Sequence, residues 1–410
     1  MKSTIAAVFA GLLVFFLLAP TTTAFAFGPA TVINANDAGP GSLRAAMASG
    51  ATQIDFDPGF FGVPRTIKLD SPLPYIQSDL SIIGPGAAML TIDGQLKANP
   101  ESLLTILDSS TTVRLEGFTL TGGYDAFSTG HVGGIFSRGK LTLANLKLNN
   151  NRGTALFSQG GSVVIEQSAI AGNTGQGAIF QGGEASIKKS MIHGNLAQGV
   201  FVQSANATID ETLIGNNSAE GTFNQAGTLT LRNSTVTLNG GGIYNQVGNL
   251  AIYNSTIAGN REYGVGSITS NPQFIRTFKA DSTIFANNAQ LDLFADVPAS
   301  INYSLIEFVE TTINGVGNVL GVDPKLGVLS LNGGTTLNFL PLPGSPAIDA
   351  GSNPLNLATD QRGFARAVAG RADIGAVEAI PEPASLQLIA MLLLYRINSF
   401  RSRSFTCPLR

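Results

Sequence analysis

The chain has 410 residues, of which 44% are hydrophobic and 12% charged, with 48 glycines and a formal net charge of -3. This composition provides for a large apolar core built from short strands and tight turns, and it leaves no electrostatic footprint for nucleic acid. The single cysteine, Cys407, excludes an internal disulfide framework, so the fold must rest on its core.

In chain order, residues 1–26 read as a signal peptide. Lys2 supplies the positive start, Ile5 to Leu18 the apolar run, and Ala24-Phe25-Ala26 the small-x-small cleavage site. The run is too short for a comfortable membrane span, so export is expected. Residues 27–112 are expected to form an N-terminal cap and the first coils. Ser42 is a good N-cap for a short helix over Leu43 to Ala48, which would seal one end of a stack. Leu80 to Ile83, Leu90 to Gly94 and Val113 to Gly123 read as early strands, and Tyr124 to His131 as an inserted loop.

Residues 113–320 carry an internal repeat. Asn151, Asn173, Asn195, Asn217 and Asn239 recur every 22 residues, and Asn260 and Asn287 extend the series. Three residues before them stand Leu148, Ile170, Ile192, Ile214, Val236, Ile257 and Ile284. Five before, from Asn173 on, stand Ser168, Ser190, Thr212, Ser234, Ser255 and Ser282, and eight before, Leu143, Ile165, Ile187, Ile209, Leu231 and Ile252. Four after stand Gly177, Gly199, Gly221 and Gly264. One such unit cannot bury its apolar face, but stacked units bury a continuous column and pair every strand with its neighbours. The unit is too short for helix pairs. The prediction is an all-β parallel β-helix with glycines and asparagines at left-handed corners, running from about Leu80 to Leu340. Asn173, Asn195 and Asn217 are expected in a vertical row at about the inter-strand spacing of 4.8 Å. Glu166, Lys188, Asp210 and Arg232, also 22 apart, predict an exposed ladder of alternating charge.

Several segments carry family resemblances. Asn34-Ala35-Asn36-Asp37 with Gly39-Pro40-Gly41-Ser42-Leu43-Arg44-Ala45-Ala46 resembles the N-terminal capping motif of bacterial surface β-helix proteins. Residues 321–379 resemble the choice-of-anchor Q domain. The matching residues are Asp323-Pro324-Lys325-Leu326, Asn332-Gly333-Gly334, Pro343-Gly344-Ser345-Pro346-Ala347-Ile348-Asp349-Ala350-Gly351, Asp360-Gln361-Arg362-Gly363 and Ala372-Asp373-Ile374-Gly375. This implies a terminal module of right-handed, pectate-lyase-like β-helix proteins, placed before a surface anchor. Residues 380–410, opening with Ile380-Pro381-Glu382-Pro383, resemble a PEP-CTERM sorting signal. Here the apolar run, Ala384 to Tyr395, is short and contains Gln387, and the arginines are scattered. The family implies Gram-negative export, membrane sorting machinery and association with exopolysaccharide.

Candidate chemistry is sparse. Trp is absent, and no dense acidic cluster or Asp-Asp pair stands where a lyase or polygalacturonase would need one. His131 with Asp125, in the inserted loop, is the one acid–base candidate. His193 falls within the repeat and reads as a turn residue. Asp349, Asp360, Arg362, Arg366 and Asp373 read as ion pairs closing the terminal module. Tyr244, Tyr253 and Tyr263, in adjacent coils, are the candidate sugar-binding aromatics. No cofactor or metal is expected. The expectation is an exported, monomeric, non-catalytic surface or extracellular-matrix protein with polysaccharide as its partner. The alternative is a diverged polysaccharide lyase or glycoside hydrolase.

Overall fold

The computed structural model describes residues 28–98, 101–124, 126, 132–268, 276–366 and 370–379. The expected signal peptide, the tail from Ile380, and both Asp125 and His131 lie outside the described residues. Among the described residues, no helix is long and apolar enough to cross a membrane.

The described residues wind as a parallel β-helix, with their strands in one sheet of 21 and another of 12. A regular coil has three strands, as in Thr154–Gln159, Ser162–Glu166 and Ala169–Ala171. Each pairs in parallel with its equivalent 22 residues on, so that Leu156 faces Ala178, Ile165 faces Ile187 and Ile170 faces Ile192. Alternate residues point inward. The inward column Leu115, Leu143, Ile165, Ile187, Ile209, Leu231 and Ile252 is therefore buried throughout. The stack begins earlier than the repeat suggested, with Ala30–Val32 on Gln53–Phe56, and ends at Val319–Leu320 rather than near Leu340.

The N-terminal helix spans Leu43–Ala48, and the Ser42 side chain accepts from the Ala45 N–H, as the N-cap signal implied. Leu43 and Ala46 enter the main core. A second short helix, Pro58–Phe61, is capped by Asp57 and buries Phe61. Its Asp-Pro start follows the preference for a capping carboxylate before proline in the first helical turn.

The asparagine column is an internal amide ladder. Asn173, Asn195, Asn217 and Asn239 are fully buried. Each Nδ2 donates to the Oδ1 of the next asparagine, at 2.8 Å for Asn173 to Asn195 and 3.0 Å for Asn195 to Asn217. The ladder starts at the Gly123 N–H, which donates to Asn151, and ends where Asn288 donates to Asp292 at 2.7 Å. The coil after Asn260 is longer, so the equivalents slip by one residue. Asn288, Thr283 and Phe285 continue the columns, while Asn287 has a left-handed backbone. The left-handed corners, moreover, are not at the ladder asparagines. One such corner lies between the second and third strands, at Asn145, Gln167, Lys189, Glu211, Asn233, Asn254, Ser282 and Tyr303, and a second, made mostly of glycine and asparagine, at the residue before each ladder asparagine: Asn150, Gly172, Gly194, Asn216, Leu238, Gly259 and Asn287. The glycine column has a different cause. A Cβ at Gly199 or Gly221 would stand 2.7 Å from the amide nitrogen of Asn217 or Asn239, so glycine there makes room for the ladder.

The C-terminal segment runs back along the flank of the stack. Thr336 Oγ1 donates to the Glu211 carbonyl and Asn233 Nδ2 to the Thr359 carbonyl. Asn254 Nδ2 and Ser282 Oγ both donate to the Ser352 carbonyl. The segment thus spans four successive left-handed corners, about 15 Å at strand spacing. Ile374 and Ala347 pack on Ile284, Ala286 and Leu305, a small core separate from the solenoid interior.

Candidate functional site: an outward aromatic face

The outer face of the first strands carries three columns in register. The central one pairs Phe136 with Phe157, Phe157 with Ile179, Ile179 with Phe201, Phe201 with Phe223 and Phe223 with Tyr244. Phe201 and Phe223 lie 5.1 Å apart, Phe223 and Tyr244 5.3 Å. All these side chains are half-buried, because each shields its neighbours while one side faces solvent.

Above Tyr244 the register position is Gly266 and the next is Phe294, and the Tyr263 ring, from another position, fills the gap. Tyr263 approaches Tyr244 at 6.4 Å and Phe294 at 5.1 Å. The Tyr263 ring lies over Gly241, where a Cβ would be 2.5 Å from its Cζ. The absence of a side chain there lets the Tyr263 hydroxyl donate to Glu220 at 3.3 Å. Burial, with the Glu220 carboxylate beside it, raises the Tyr263 hydroxyl above the usual tyrosine range and keeps it protonated.

Glutamines flank the rings. On one side Gln159, Gln181, Gln203 and Gln225 donate head to tail, at 2.9, 2.7 and 2.7 Å. On the other, Thr154 donates to Gln176 and Gln198 donates to Glu220 at 3.0 Å. At the low end Arg138 lies over Phe136 and donates to Gln159. At the high end Arg276 is paired with Asp296.

Of the sequence candidates, the fold brings Tyr244 and Tyr263 together on this face and places Tyr253 elsewhere. Tyr253 belongs to the second-strand column, between Arg232 and Asp281. The phenylalanines, the glutamines and Glu220 were missed, although Phe157, Phe201 and Phe223 fall on multiples of the same 22-residue period.

The charge ladder forms in register, with Arg232 donating to Asp210 at 3.1 Å and Lys188 3.9 Å from it. Asp210, however, is not exposed as expected. It is 8% accessible, because it sits between these cations where the C-terminal segment closes over Glu211. Burial accordingly raises its carboxyl. His193 is half-buried on a third strand, and burial lowers its imidazole.

Four charged residues of the C-terminal segment, Asp360, Arg362, Arg366 and Glu378, pair within its own seam. Asp360 is fully buried against Arg362 at 2.7 Å. Arg366, also buried, donates to Glu378 at 2.7 Å and reaches the solenoid at Asn233 and the Asn254 carbonyl. Burial pushes Glu378 up to about 7 despite the opposing Arg366 guanidinium. Each of these groups has a partner in the seam and none faces the aromatic columns, so they fasten the segment. Among the described residues, no cluster of His, Cys, Asp or Glu is placed to hold a metal ion.

No curated protein matches the chain by sequence. The family model described as "Right handed beta helix region" matches residues 130–278 and 178–316. Among solved structures, pectate lyase Pel9A is similar at 15% identity, over 86% of this chain and 96% of that one, with a TM-score of 0.58. PfbA, a surface adhesin of Streptococcus pneumoniae, is similar at 10% identity, over 71% of this chain and 91% of that one, with a TM-score of 0.51. At these identities the likeness is one of fold, and the two names attach different activities to it. In architecture, the chain is a right-handed parallel β-helix protein of the pectate-lyase-like fold.

Proposed function

We propose that this protein is an exported, monomeric, non-catalytic surface or matrix protein that binds polysaccharide on the outer face of its first strands. The observation that carries this reading is the aromatic column flanked by two stacked amide columns. Sugar rings present apolar C–H faces and vicinal hydroxyls, which aromatic rings and side-chain amides complement. A column fixed by strand register is pre-organised, so little side-chain entropy is lost on binding. The choice-of-anchor Q-like segment and the PEP-CTERM-like tail belong to this proposal as the route to the surface of a Gram-negative cell.

The alternative of a diverged lyase or hydrolase would draw on Glu220 and Glu262, the carboxylates nearest Tyr263. We favour binding because Glu220 already accepts from Gln198 and Tyr263, which occupies the group that would have to move a proton. A glycan array probed with the mature protein tests the binding reading. Release of reducing or unsaturated ends that is lost in Glu220→Gln would replace it with the enzymatic one.

A further inference from the structure

The distribution of charge on this face points to a class of glycan. The three columns run along the stack axis through Phe157, Phe201, Phe223 and Tyr244 with their flanking glutamines. Between Arg138 at the low end and the Asp296-paired Arg276 at the high end, no lysine or arginine stands in these columns. The charged groups at their margin are the acids Glu220 and Glu262 and the arginines Arg152, which lies over Tyr124, and Arg261, which donates to Asn216. The remaining polar groups are neutral amides already aligned head to tail. Each amide retains one N–H and one carbonyl lone pair for a ligand.

A polyuronate laid along this face would bring a carboxylate with each sugar to columns in which no cation stands between Arg138 and Arg276, the marginal arginines Arg152 and Arg261 being engaged with Tyr124 and Asn216. Its charge would be desolvated against aromatic rings and repelled by the two glutamates. A neutral chain meets neither cost. Its ring faces can lie on the aromatic column while its hydroxyls exchange hydrogen bonds with the glutamines.

We propose that the face selects neutral polysaccharide, lying along the stack axis, and discriminates against polyuronates. This rests on the glycan-binding reading above and adds the charge class of the ligand. The test is affinity electrophoresis and calorimetry of the mature full chain. The probes are neutral glucans, xylan and galactomannan against polygalacturonate and alginate, with and without calcium and at low and raised salt. At least one neutral glycan is expected to bind about tenfold or more tighter than either polyuronate, with little salt dependence. Phe223→Ala and Tyr244→Ala should each weaken that binding about tenfold, while circular dichroism confirms an intact fold. Polyuronate binding equal to or tighter than neutral binding, or a steep loss with salt, would overturn the charge-class inference and leave the binding face standing. Retention of no glycan, or binding insensitive to both aromatic substitutions, would overturn the inference together with the reading beneath it.

Discussion

The Tyr263 hydroxyl hydrogen-bonds Glu220 at 3.3 Å across an intervening coil, passing over Gly241. Three levels of the solenoid are thereby tied together on the face that carries the aromatic column. Tyr263→Phe should remove one hydrogen bond and destabilise by about 1 kcal/mol. Gly241→Val should cost more, about 1–3 kcal/mol, because its Cβ collides with the ring. Chemical denaturation of both variants checks the order.

The amide ladder is expected to be costly to interrupt. Asn217 accepts from the Asn195 N–H and Nδ2 at 3.1 and 3.0 Å and donates to Asn239 at 2.9 Å. Asn217→Ala would orphan the Asn195 backbone N–H and one of its two Nδ2 protons, the other still donating to the Ile170 carbonyl, in a buried interior, at about 1–3 kcal/mol for each unsatisfied donor. A loss of at least about 3 kcal/mol by denaturant titration is expected. A near-neutral result would mean that water replaces the amide.

Arg366 should decide whether the C-terminal segment stays on the flank. It is buried, bonded to Glu378 within the segment and to Asn233 on the solenoid. Arg366→Met leaves Glu378 without its cation, a change worth about 3–5 kcal/mol at buried pairs. We expect residues 324–366 to become susceptible to limited proteolysis while the far-ultraviolet dichroism of the solenoid persists.

Docking of that segment should strengthen on mild acidification. Burial raises Glu378 from the ordinary 4.5 to about 7, and it raises Asp373 in the same direction. A carboxyl with a raised folded pKa takes up a proton on folding. Its contribution to stability is therefore largest below about pH 4.5 and is lost as pH rises through about 7. Between pH 5 and 8 the segment should loosen by about 1–3 kcal/mol, read as protease susceptibility of residues 324–366. Glu378→Gln should flatten that dependence.

Tyr253 provides an internal control for the aromatic face. It lies in the column of Arg232 and Asp281, on a different strand from Tyr244. Tyr253→Ala should leave glycan retention within about twofold of the parent, since it removes no ring from the binding column. A loss equal to that of Tyr244→Ala would place the ligand on the second-strand face.

Residue spacing by itself determined the stack, because a parallel β-helix repeats its inward side chains at a fixed chain interval and that interval is written in the sequence. Ile165, Ile187 and Ile209 could be placed in one buried column, and Asn173, Asn195 and Asn217 in one row, without coordinates. The same period contained Phe157, Phe201 and Phe223, but periodicity does not say which face of a strand meets solvent. Tertiary structure decided what the period could not encode. It slipped the ladder to Asn288 after the longer coil, sent Tyr263 down over Gly241 to Glu220, and parted Tyr253 from the other two tyrosines. It also laid the C-terminal segment along the corners from Glu211 to Ser282, burying Asp210 and joining Arg366 to Asn233 across 133 residues. Such contacts depend on where an irregular, glycine-rich segment returns in space. They are set by packing and hydrogen-bond complementarity between distant residues, which leaves no local pattern in either partner's sequence.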